Sequence, residues 1–294
     1  MVKEELTNFN LLMLYAYKTE DIPEEQAEII RDDFYLLFKE LDKIELPKEK
    51  VKITLIIDSL GGDAYSAYKM IKLIRSKCEK LTVVIPERAK SAATLMALGA
   101  DEILMAPESE LGPLDLPLGE HPLMEKVKDF SALDGIRPFT LLYDSAKNLA
   151  IESLGISLRK KVGLSREDSV NIALKFSKDC IEPIICKLDP WLYSKCYRLL
   201  LIAQEYAKEL LQNFMFHSDS VEIAEIKSIK TSGELVFGFP EHGYVIDRDC
   251  AKDRLKLNII PLEKFKELHN FCKNIMFNPV DKKIIQITKN LEIK

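Results

Sequence analysis

Residues 51–115, VKITLIIDSLGGDAYSAYKMIKLIRSKCEKLTVVIPERAKSAATLMALGADEILMAPESELGPLD, decide the fold. Val51–Asp58 is a β-branched run that stops at Ser59-Leu60-Gly61-Gly62. From Asp63 to Lys77 the apolar residues Ala64, Ala67, Tyr68, Ile71 and Ile74 recur with the helical period, which predicts a helix with one buried face. Leu81–Ile85 is a second apolar run, broken by Pro86-Glu87-Arg88-Ala89-Lys90. Ser91–Ala100 is small and apolar, as in a helix buried against a sheet, and Glu102–Ala106 is a third strand. Strands alternating with helices of this length predict parallel βαβ units with right-handed crossovers, an α/β fold.

Ligands of such sheets bind beyond the carboxyl ends of the strands. Gly61-Gly62 lies there, where backbone N–H groups can approach a ligand closely. Ser91 lies there too, at the start of a helix. A serine nucleophile beside glycine amides is what acyl transfer to water needs: the hydroxyl attacks a carbonyl and the amides stabilise the oxyanion, one such donor being worth roughly 3–4 kcal/mol. The same residues also fit a tight turn and an ordinary N-cap serine, whose loss costs about 1 kcal/mol. Gly61→Ala and Gly62→Ala are expected to differ: if one glycine holds φ > 0, alanine there costs stability as well as turnover, and the other loses mainly turnover.

IIDSLGGDAYSAYKMIKLI resembles the "D/N-S-P-G-G" strand, loop and helix of the Clp protease proteolytic subunit and signal peptide peptidase A, with Leu60 in place of the usual proline. AKSAATLMALGADEILMAPESELGPLD resembles the nucleophile helix, strand and "LGPxD" segment of the serine dehydrogenase proteinase family, a branch of the same Clp/crotonase fold. Many members continue with Pro-Gln, whereas Leu116-Pro117 follow here. The resemblance is strong over residues 50–118 and recurs near Gly238–Ala251. It implies an α/β, Clp/crotonase-like fold of repeated ββα units with a helical insertion. It also implies a serine peptidase with Ser91 as nucleophile and the Gly61 and Gly62 amides as oxyanion hole. Its relatives form rings or stacked trimers, so a homo-oligomer acting on peptides or unfolded proteins is implied, with no cofactor. The fold also hosts coenzyme A thioester enzymes, and degenerate relatives that bind peptide or act as scaffolds; both stand as alternatives.

A serine hydroxyl needs a base. His242 lies in FPEHGYVIDRDCA, which resembles the family's "HGxxI…A" segment, and an ordinary imidazole pKa of about 6.5 suits the task. Lys195 is a second candidate, since signal peptide peptidase A uses a serine–lysine dyad. A lysine base must drop from about 10.4 to near 7, which needs burial or a like charge. His121, six residues beyond the LGPLD segment, is a third. Asp115 could orient a base or cap its loop.

The remaining chain extends this plan. Its 294 residues, 47% hydrophobic, suffice for one domain over 1–294: core about 50–118 and 230–262, helical insertion about 124–230, C-terminal helix about 261–276. Asn8–Tyr17 reads as a first strand, Pro23–Leu41 and Pro190–Leu211 as helices, Val221–Ile229 as a short helix, and Lys283–Lys294 as an edge strand. A net charge of −5 with mixed signs excludes a nucleic-acid footprint. The six cysteines lack CxxC spacing and read as reduced, mostly buried thiols of a cytoplasmic protein, with no metal site. No signal peptide is visible, and no apolar run approaches the ~20 residues of a membrane helix, so no membrane anchor is expected.

Overall fold

The computed structural model describes residues 9–15, 28–43, 52–115, 117–119, 130–277 and 283–288. It divides into two compact units, one formed by residues 1–116 with 201–294 and the other by residues 117–200. The inserted unit therefore ends near residue 200, and the helix Val221–Phe237 belongs to the unit that carries the sheet.

The main sheet has six strands: β1 (Phe9–Tyr15), β2 (Lys52–Asp58), β3 (Lys80–Ile85), β5 (Glu102–Met105), β10 (Ile259–Pro261) and β11 (Lys283–Thr288). Their spatial order is β10-β5-β3-β2-β1-β11, parallel except for β11, which runs antiparallel to β1 at the edge. The apolar runs read from sequence thus become β2, β3 and β5, in that succession from one edge of the core to the other. Side chains 53–58 of β2 are all buried, as expected of a parallel strand covered on both faces. One face presents Ile56, Val84 and Leu104 to Leu268 and Cys272 of the helix Lys266–Phe277. The opposite face, with Leu55, Val83 and Ile103, is equally buried. Each such aliphatic side chain contributes about 1.5–3 kcal/mol.

The helix Ala64–Arg75 begins at Asp63, whose carboxylate accepts from Tyr65 N and Ser66 N at 3.3 and 2.9 Å, and buries Ala67, Met70, Ile71 and Ile74. The short helix Ala92–Ala97 packs against it, with Ile71 lying over Gly99. A helix does occupy the region read as Pro23–Leu41, but it spans Arg31–Asp42. Ile29 is extended and pairs with Gly62, so it cannot join that helix, and residues 16–27 lie outside the described ones. The helix from Val221 continues to Phe237 rather than stopping at Ile229.

The 117–200 unit holds the helices Ala132–Lys147 and Arg166–Ile185 and the first half of Pro190–Leu210. Ser165 caps the second of these by accepting from Asp168 N at 3.0 Å, as its sequence predicts. The cysteines correct one expectation. None of the six is in a disulfide, but only Cys196 and Cys272 are buried, while Cys180 and Cys186 are exposed. Cys180 lies on the helix Arg166–Ile185 and Cys186 caps its end.

Candidate active site

Two loops leave the carboxyl ends of β2 and β3 and are stitched together by Ser59. Its N–H donates to Arg88 O at 2.8 Å and its carbonyl accepts from Lys90 N at 3.0 Å. The glycine loop and the nucleophile loop therefore form one backbone unit. Both glycines hold positive φ, +111° at Gly61 and +135° at Gly62, so the expectation that they differ in this respect is corrected. A Cβ on Gly61 would lie 2.8 Å from Lys90 O and 2.9 Å from Ser91 Cβ. One on Gly62 would lie 2.4 Å from Ile29 N and 2.5 Å from Ile29 O. Ile29 holds the loop from outside, its N–H donating to Gly61 O and its carbonyl accepting from Asp63 N, both at 2.7 Å. The Gly61 N–H donates to Ser59 Oγ at 3.1 Å. Gly62's own N–H lies outside the Ile29 ladder.

These contacts define a prediction. Gly61→Ala and Gly62→Ala should each destabilise the protein by more than the ~1–3 kcal/mol of backbone strain alone, because each Cβ also meets backbone or the nucleophile. Gly233→Ala, in the helix Val221–Phe237 with only Gln204 Nε2 at 3.5 Å, should instead stabilise. Its expected gain is about 0.5–1 kcal/mol. Urea midpoints of the three variants check the contrast. Wild-type midpoints in both loop variants would remove the constraint.

Ser91 adopts φ 48° and ψ −115°, a conformation L-residues rarely take. Such strain costs of order 1–3 kcal/mol and persists only where the surroundings impose it. Thr94, fully buried, ties the chain just before Ser91 to the Gly112 loop. Its Oγ1 lies 2.6 Å from Ala89 O and 2.9 Å from Gly112 O, and accepts from Gly112 N at 3.0 Å. Ser91 is 3% exposed, and its Oγ is buried with no hydrogen-bond partner among the described residues. The hydroxyl does not cap the helix, contrary to the N-cap alternative.

A second, small sheet gathers further site residues. β4 (Arg88–Ala89) pairs in parallel with β6 (Glu110–Leu111), and β6 pairs antiparallel with β9 (Ile246–Asp247). Chain direction then puts Lys90-Ser91, Gly112–Asp115 and the turn before Ile246 at the same end. That turn carries His242 and is closed by Tyr244 N donating to Glu241 O at 3.3 Å. The imidazole is half-buried, and its Nδ1 is buried without a partner among the described residues. Ser91 and His242 are not hydrogen bonded to each other. Asp115 is a buried carboxyl at 1% exposure on the middle loop. Lys195 is exposed and belongs to the 117–200 unit, whereas a lysine base requires burial. His121 lies outside the described residues.

Sequence reading missed three members of this region. Thr94 and Lys90 look like any helix and turn residues until β4, β6 and β9 meet. The Ala92 N–H, at the first turn of its helix, has no side-chain signal at all. Its nitrogen is 3.2 Å from where a Gly61 Cβ would stand.

Asp58 ends β2 with its side chain almost wholly buried. Burial pushes its carboxyl up from 3.8 to about 6, partly offset by the Arg88 charge and the Arg88 N–H, with Glu87 adding to the rise. The folded carboxyl holds its proton more tightly than the unfolded one. Folding takes up a proton between those two values, and stability falls as pH rises through that window. At about 1.4 kcal/mol per pH unit the cost above it is of order 3 kcal/mol. Asp58→Asn should therefore raise the urea midpoint at pH 7.5, with the gain fading towards pH 4. A gain independent of pH would contradict it.

Comparison with known proteins agrees with this architecture. Residues 38–154 match the model of the ClpP-like SDH-type serine proteinase family. This segment is similar to that family, and the mixed α/β chain with its parallel sheet fits a Clp/crotonase-like fold. Two uncharacterized proteins of Methanocaldococcus jannaschii are similar to it, 38% and 39% identical over 82 residues. The match spans 28% of this chain and 28% of each relative. A serine-to-alanine mutant of a membrane-bound stomatin-specific protease is a structural neighbour at 18% identity and TM-score 0.28, covering 49% of this chain and 64% of that one. Among the described residues no helix is long and apolar enough to cross a membrane.

Proposed function

We propose that the chain is a serine peptidase in which Ser91 attacks the carbonyl of a peptide or unfolded protein. His242 takes the Ser91 proton, and Asp115 orients and balances the imidazolium that forms. The observation that carries the reading is Ser91 itself: a strained serine with a buried, unpartnered hydroxyl, packed against Gly61. Because Gly61 N–H is committed to Ser59, the oxyanion donors are the Gly62 N–H and the Ala92 N–H, which refines the expected Gly61-Gly62 pair. Gly61 serves by leaving room for Ser91. In the first half-reaction Ser91 Oγ bonds to the carbonyl carbon, the C–N bond breaks, and His242 returns the proton to the leaving amine. Water, deprotonated by His242, then releases the acid and restores Ser91.

Six cysteines outside any disulfide suit a reducing compartment, so the proposed location is the cytoplasm. Exposed Val170, Ile172, Leu174 and Phe176 on the helix Arg166–Ile185 suit self-association as a homo-oligomer.

A fluorophosphonate probe tests the reaction class. It should label the wild-type protein at Ser91, located by peptide mass spectrometry, and unfolded casein should be cleaved. A coenzyme A thioester enzyme using backbone amides alone, or a non-catalytic scaffold, would leave Ser91 unlabelled.

A further inference from the structure

We propose that Lys90 is a positioning residue that holds the His242 turn in place against the nucleophile loop. The inference rests on the serine peptidase reading and names a device that serves it. An ammonium has three protons and no acceptor. Around Lys90 Nζ stand three acceptors, each from a different position at the same end of the small sheet. Glu110 Oε1 is at 2.9 Å, Leu111 O at 3.4 Å and Tyr244 O at 3.4 Å. The Lys90 and Glu110 side chains are 12% and 21% exposed, so water does not screen the pair as it would on a surface.

The backbone of the same residue is fixed on the other side. Lys90 N donates to Ser59 O at 3.0 Å, and Lys90 O accepts from Ala93 N at 2.9 Å. Its stem runs under Gly112, where a Cβ would meet Lys90 Cδ at 2.7 Å. One residue therefore touches the glycine loop through its N–H, the nucleophile helix through its carbonyl, the Gly112–Asp115 loop through its stem, and the His242 turn through its charge. Tyr244 is two residues from His242, in the turn that its own N–H closes onto Glu241. Lys90 Nζ reaches the Tyr244 carbonyl on the far side of His242, while Arg254 donates to Gly238 O at 2.8 Å on the near side. Because His242 Nδ1 has no partner among the described residues, the imidazole is positioned here through its backbone.

Lys90→Met, His242→Gln and the double variant test this by two readouts on the full-length protein. The first is backbone hydrogen exchange in residues 240–246. It should be about tenfold faster in Lys90→Met, with β2 and β3 unchanged. The second is the rate of Ser91 labelling by the fluorophosphonate. Lys90→Met should lose about 100-fold, the scale of a small misplacement of a catalytic group. The double variant should lose no more than His242→Gln alone, within about threefold, because Lys90 acts through His242. Glu110→Gln, which keeps both carbonyl contacts, should stay within about threefold of wild type in exchange. If Lys90→Met fails to fold because Glu110 is left unpaired, Lys90→Met/Glu110→Gln removes both charges and is measured instead. Unchanged exchange at 240–246 in a folded variant lacking Lys90 overturns the proposal, as do additive labelling losses. A wild-type protein that never labels at Ser91 overturns the peptidase reading, and the exchange readout still decides whether Lys90 holds the turn.

Discussion

Ser91→Ala is expected to abolish peptide hydrolysis and phosphonate labelling without weakening the fold. Losing the nucleophile removes the covalent route, a loss of at least ~4 decades in turnover. The stability side is the less obvious half. A capping serine would cost about 1 kcal/mol on truncation. Here the hydroxyl caps nothing and is buried without a partner among the described residues. An unsatisfied buried hydroxyl costs of order 1–3 kcal/mol, so its removal should leave the urea midpoint equal or higher. Ser91→Gly should raise it further, because glycine takes φ 48° without the Cβ penalty. Hydrolysis surviving in either variant would exclude Ser91 as nucleophile. A midpoint well below wild type in Ser91→Ala would mean that the hydroxyl is bonded in solution.

Much of the sheet-bearing unit was legible because its signals are local. Val51–Asp58, Leu81–Ile85 and Glu102–Ala106 are β-branched or apolar runs bounded by turn residues, and they became β2, β3 and β5 within a residue or so. Gly61-Gly62 and Ser91 stood out by residue type and spacing, and the loops that carry them are indeed tied through Ser59. What was not legible depends on pairing between distant segments. Ile29 falls inside the predicted Pro23–Leu41 helix, yet its backbone is used by Gly62, and that tertiary pairing delays the helix start. β4, β6 and β9 are two residues long, too short to carry any periodicity, and their pairing brings residues near 90, 112 and 242 to one end. Lys90 and Thr94 acquire their roles only from that meeting. Lys195 was attractive by analogy with a dyad, and nothing in a single helical sequence distinguishes a buried lysine from the exposed one found here.

His242→Gln is expected to lose roughly 2–4 decades in hydrolysis, the range for removing a general base or a triad member. Glutamine keeps the approximate volume and a polar tip in the half-buried turn, so the loss reports proton transfer rather than packing. Asp58→Asn, by contrast, should change the pH dependence of stability between 3.8 and about 6, where its buried carboxyl holds its proton, rather than the turnover that His242 supports. Lys195→Ala completes the comparison: an exposed lysine should be dispensable, and its replacement should leave the rate within about threefold, the scale of ordinary surface substitutions. A fully active His242→Gln protein with an inactive Lys195→Ala counterpart would replace the base while leaving Ser91 as nucleophile. Full activity in both would move the proton acceptor elsewhere in the site and end the triad reading altogether.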